Sequence, residues 1–154
     1  MMKKYFKGLF KYNHWANMRV LIALEKGDIK DDKALSLFSH LLSAETVWWL
    51  RIRGLPTAPF PLWEQYSINE LKTMTEETGA KWKEYLKNHK FETFEEMIFY
   101  QDSSGKKRET VIREIITQVV THSAYHRGQI SQRLRELEMT PPEIDYIHFQ
   151  RQTL

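Results

Sequence analysis

Cysteine is absent from this 154-residue chain. That absence removes disulfides, thiolate zinc sites and a cysteine nucleophile together, and it makes a reducing cytosol the expected setting. No apolar run approaches the length a bilayer requires. The N-terminus, Met1-Met2-Lys3-Lys4-Tyr5-Phe6-Lys7, has lysines but runs into an amphipathic pattern broken by Lys11, Asn13 and Asn17, so the apolar core of a signal peptide is missing. A large excess of one charge is lacking too. The net charge is +3 and the pI near 9.0, and scattered basic residues of that number describe a solvated surface better than a polyanion-binding one. Lys106-Lys107-Arg108 clusters beside a turn signal without interleaved aromatics, so a solvated hairpin is expected there and nucleic-acid binding is not. Internal repeats and low-complexity segments are also absent. What remains, 42% hydrophobic and 13% aromatic, suffices for a single domain over residues 1–154 with a core that needs no covalent staple.

The apolar spacing predicts a first helix from Tyr5 to about Lys26, with Phe6, Leu9, Ala16, Val20, Ala23 and Leu24 on one face and Gly27 as its stop. Asn13 falls in that stripe, where a buried amide requires partners; it is either a structural hydrogen-bonding group or a contact to a site in the core. His14 lies on the flank and is expected at a surface or interface. Asp31 and Asp32 suit the start of a second helix that runs to about Arg53. It is apolar around most of its circumference, through Leu35, Phe38, Leu41, Leu42, Val47, Trp48, Trp49 and Ile52, as a central helix would be. His40 faces the packed side. Glu45 sits in the main stripe with Leu41, Trp48 and Ile52, so it needs a basic partner, a histidine to orient or a proton to handle.

Pro56, Pro59 and Pro61 end regular structure between Gly54 and Tyr66, so an ordered loop with Phe60, Leu62 and Trp63 is expected to cross the surface or cover a site. Ser67-Ile68-Asn69-Glu70 matches the capping box that starts a helix, here a third one running to about His89. Glu92–Asp102 and Lys106–Thr110 flank the turn signal Ser103-Ser104-Gly105 and predict a short hairpin. A fourth helix is expected from about Thr110 to Leu137, ending before Pro141-Pro142, with a short tail of Ile144, Tyr146, Ile147 and Phe149 folded back on the rest. The predicted fold class is all-α: an antiparallel four-helix bundle with one long crossover loop and a small β-hairpin before the last helix.

On the fourth helix, His126 falls inside the stripe Ile112, Ile115, Ile116, Val119, Ile130, Leu134, Leu137, and His122 lies on its margin. Imidazoles four residues apart share a face and converge on a point where a divalent metal can bind. That spacing is common by chance; an inward histidine on another helix, His40, makes it informative. His40, His122 and His126 are therefore candidate ligands. Three neutral nitrogens leave a coordination position open, as in catalytic sites. A zincin protease is excluded because Ser123 stands where His-Glu-x-x-His needs its glutamate, and the di-iron bundles because no Glu-x-x-His pair occurs.

Tyr12-Asn13-His14-Trp15-Ala16-Asn17, His40-Leu41-Leu42-Ser43-Ala44-Glu45-x-x-Trp48 and His122-Ser123-Ala124-Tyr125-His126-Arg127-Gly128-Gln129-Ile130, in this order, together resemble the DinB family of DinB/YfiT-like metalloenzymes. The closing Pro142-x-x-Asp145-Tyr146-x-x-x-Phe149 resembles it too. The resemblance covers nearly the whole chain and implies an antiparallel four-helix bundle, a metal triad at His40, His122 and His126, nickel or zinc as the metal, and a homodimer. Some relatives in the wider superfamily are metal-dependent transferases or isomerases that use a low-molecular-weight thiol such as bacillithiol or mycothiol. The implied activity is accordingly a metal-dependent S-transferase or hydrolase on a small-molecule substrate, and the alternative is a metal-binding or stress-response protein without turnover. Asn13, Glu45 and Gln129 are the candidates for contacts that support the ligands, with helix packing as their alternative role. Gly128 is expected to permit close helix approach.

Overall fold

The computed structural model describes residues 2–29, 32–57, 60–90 and 94–152. Among the described residues the chain is mostly helical, with five helices and one two-stranded antiparallel sheet: α1 (Met2–Lys26), α2 (Asp32–Ile52), α3 (Ile68–Asn88), β1 (Met97–Gln101), β2 (Lys107–Val111), α4 (Ile112–Glu136) and α5 (Tyr146–Gln152). α1 packs on α3 and α4, and α2 packs on the same two. None of the helices in the described residues is long and apolar enough to cross a membrane.

Burial separates the core into two apolar clusters. One gathers Phe6 and Phe10 of α1, Ile52 of α2, Trp82, Tyr85 and Leu86 of α3, and Ile112 to Val120 of α4. The other gathers Val20, Leu21 and Leu24 of α1, Leu35, Phe38, Leu41 and Leu42 of α2, Leu71 of α3, and Ile130 and Leu134 of α4. Each long helix meets both, so the order in which it meets them gives its direction. α1 and α4 run from the first cluster to the second, and α2 and α3 run the other way. α2 therefore ends at the level opposite to the start of α3, and the proline-containing segment 53–67 has to travel the length of the helices. Between the clusters lie buried polar side chains: Asn13 and Asn17 on α1, Glu45 on α2, Thr75 and Thr78 on α3, Ser123 and Arg127 on α4.

The local signals act largely where the sequence puts them. Ser67 caps α3: its hydroxyl accepts from the Glu70 amide and the Glu70 carboxylate accepts from the Ser67 amide. A cap of this kind contributes about 1 kcal/mol. The hairpin pairs Met97 with Val111 and Gln101 with Lys107, and Gly105 takes the positive φ its turn requires. Asp102 holds that turn by accepting from the Ser104 hydroxyl and from Arg108 Nε. Several boundaries shift. α1 begins at Met2, and α4 begins at Ile112 because Thr110 and Val111 are drawn into β2. At the end of α1 the positive φ falls on Asp28, while Gly27 lacks a side chain where Met139 and Ile29 crowd it. Asp31, Pro59, Phe91, Glu92 and Thr93 lie outside the described residues. The tail does fold back, as α5, with Phe149 buried against Tyr12 and Trp15 and with Tyr12 donating to the Ile144 carbonyl.

Candidate metal centre

His40, His122 and His126 come together from α2 and α4, and each offers a nitrogen within 4.8 Å of the other two. Their rings meet edge to face, with centroids 4.8 Å apart for His40 and His126 and 4.4 Å for His122 and His126. His40 and His126 are buried and His122 is half-buried, in keeping with the position of His122 on the margin of the stripe.

The tautomers follow from the partners. His40 Nδ1 lies 2.9 Å from the Leu62 carbonyl oxygen, which can only accept, so Nδ1 carries the proton and Nε2 keeps its lone pair. His126 Nδ1 lies 2.7 Å from Gln129 Oε1. Gln129 is oriented by its own amide, which donates to the Tyr125 hydroxyl at 3.2 Å. Two of the three imidazoles are thus prepared in the same way, with Nδ1–H engaged and the Nε2 lone pair turned toward the other rings, the arrangement commonly found behind metal-ligating histidines. The Nε2 atoms of His122 and His126 are 3.1 Å apart, close to the roughly 3.4 Å separating two ligands on a tetrahedral ion with bonds of about 2.1 Å. One hydrogen bond now joins those atoms, and an ion would replace it.

Burial, followed by the neighbouring His126 and His40, pushes the His122 imidazole down to about 4. Burial likewise lowers His126, against an opposing pull from Gln129. An unfolded histidine protonates near 6.5. Between about 6.5 and 4 the unfolded metal-free chain thus binds more protons than the folded one, and stability falls as the pH falls. The Tm of metal-free protein should drop over this interval more steeply than that of a His122→Gln variant; parallel curves for the two would contradict it.

Segment 53–67 reaches the cluster. Leu62 supplies the carbonyl for His40, and Trp63 stacks on the His40 ring with centroids 3.7 Å apart and planes 6° from parallel, although the residue is 61% exposed. Leu62 and Trp63 of the expected loop therefore lie against the histidine group.

Of the three supporting candidates, Gln129 touches a histidine and the other two do not. Glu45 Oε1 accepts from Asn13 Nδ2 at 2.7 Å, Asn17 Nδ2 at 3.0 Å and Ser123 Oγ at 2.7 Å. Asn13 and Asn17 each accept in turn from Arg127 Nη1, both at 2.7 Å. Glu45 and Arg127 are thus an ion pair bridged by two amides in the layer between the apolar clusters. Of the roles open to Glu45, the structure shows the basic partner, reached through asparagine. Arg127 and Asn17 carry a signal that would have found them: an arginine and a second amide falling within the apolar faces of their helices. Gly128 is exposed, and a Cβ there would meet nothing within 4 Å, so close helix approach does not explain it. His14 packs on α3 at Gly79, away from the triad.

The chain matches the DinB family over residues 1–153. It is also similar to Protein DinB of Bacillus subtilis (strain 168), at 26% identity over 155 residues that cover 90% of this chain and 89% of that protein. With a match over this span and a three-histidine group that could hold a metal ion, the chain belongs to the DinB family.

Proposed function

We propose that His40, His122 and His126 hold a divalent nickel or zinc ion and that the protein is a metal-dependent S-transferase acting with a low-molecular-weight thiol such as bacillithiol. The observation that carries the reading is the pair of Nδ1–H groups committed to Leu62 and Gln129, which leaves ring nitrogens of two helices aimed at one place. The metal, when bound, supplies a Lewis acid with an open position that lowers the pKa of a thiol. The remaining work belongs to the chain's own side chains. Gln129 and the Leu62 carbonyl hold two rings in register. The histidine group contains no carboxylate among the described residues, so three neutral imidazoles leave the full dication charge to favour an anionic partner such as a thiolate. Half-buried His122 keeps an approach open, and Trp63 and Tyr125, both well exposed beside the ligands, supply apolar surface for an electrophile.

The directions of α1 to α4 and their mutual packing support an antiparallel four-helix bundle with segment 53–67 as its crossover, and a homodimer in the cytoplasm is the form in which we place it. The test is metal content of the purified protein by mass spectrometry, followed by thiol consumption with a generic electrophile. Stoichiometric metal, and consumption that follows metal loading, are expected. Metal without turnover would replace the reading by that of a metal-binding protein, and a chain that takes up no nickel or zinc would overturn it.

A further inference from the structure

A groove lies between α1 and α3, the helices that do not carry the histidine triad. Its volume is about 470 Å³, and Phe10 and Leu86 form a buried apolar floor. Lys7 and Lys11 line it from α1, Lys83 and Lys87 from α3. Each pair is one helical turn apart, so like charges adjoin and repel on both walls. None of these four ammonium groups forms an ion pair among the described residues. α1 has no carboxylate before Glu25 to neutralise them; on α3, Glu77 is engaged with Lys81, and Glu84, though one turn from Lys87, lines a neighbouring pocket with Arg53 and Lys81. At one end His14 packs down on Gly79, where a Cβ would overlap the imidazole.

We propose that this groove binds a small amphipathic carboxylate, its apolar body on Phe10 and Leu86 and its anionic head among the lysines. Charge complementarity selects the head, since no carboxylate among the described residues lines the groove to balance the four cations. The volume is that of a small-molecule pocket. A nucleic acid fits less well, because the aromatic side chain in the groove is a buried floor and not an exposed platform on which bases stack.

The test is calorimetric titration of the full-length chain with dodecanoate below its micelle concentration. A chelator is present throughout, so that the carboxylate has no metal to bind and the outcome is independent of the triad. One dodecanoate per chain is expected, with binding at least roughly tenfold weaker in a Lys11→Glu/Lys83→Glu variant and no binding of dodecyltrimethylammonium. Both lysines are exposed, so the variant is expected to fold, which circular dichroism checks. Gly79→Ala, which leaves every charge in place and pushes His14 into the groove, is expected to weaken binding as well. Equal affinity in either variant would overturn the proposal. So would the absence of saturable binding, or binding of duplex DNA or phosphatidylglycerol vesicles through these lysines without binding of dodecanoate.

Discussion

Glu45→Ala is expected to lower the stability of the protein by about 3–5 kcal/mol, read from urea unfolding followed by circular dichroism. The size comes from what is left behind. Arg127 is fully buried, at 0% exposure, and Glu45 at 4% is its bridged counter-charge. Removing the carboxylate strands a guanidinium in the core, and the Asn13, Asn17 and Ser123 donors lose their common acceptor. Burial already pulls the Arg127 pKa down, with nearby Tyr12 and Glu45 acting against it. Arg127→Met should be similarly costly for the complementary reason. The double variant Glu45→Leu/Arg127→Met should cost clearly less than the sum of the single changes, since it strands no charge. A Glu45→Ala cost under about 1 kcal/mol would show that the pair is not electrostatically coupled in the folded chain.

His40→Ala is expected to abolish stoichiometric nickel or zinc binding, measured by metal content after dialysis. His40 is the contribution of α2; without it, two imidazoles one turn apart on α4 remain, a pair that occurs often without a metal. Gln129→Leu removes the acceptor that holds His126 Nδ1–H and should weaken affinity by roughly 10–100-fold while leaving the ligands in place. Glu45→Gln should leave metal content unchanged, because the hydrogen bonds of that carboxylate run to Asn13, Asn17 and Ser123 and, among the described residues, to no histidine. Retention of a full equivalent of metal by His40→Ala would remove α2 from the site.

The long helices, the capping box at Ser67, the hairpin turn and the shared face of His122 and His126 were legible in the sequence because each rests on local periodicity or on a short motif, while the joining of His40 to that pair was implied by the family resemblance. The identity of Glu45's partner was not. A carboxylate in an apolar stripe announces that a partner exists, but Arg127 is 82 positions away in the chain numbering, and two asparagines stand between the charges. Gly128 failed for a similar reason: a glycine on a helix shows that space is available without showing what fills it. The amphipathic pattern by itself determined the helices and which side chains face inward, since burial of apolar area at 3.6-residue spacing needs no knowledge of the neighbours. Only the tertiary structure decided which inward polar groups meet, namely that Gln129 and Leu62 fix the ring nitrogens while Asn13 and Glu45 serve a buried ion pair. Hydrogen bonds act over about 3 Å, and a pattern read along one chain carries no information at that range about another helix.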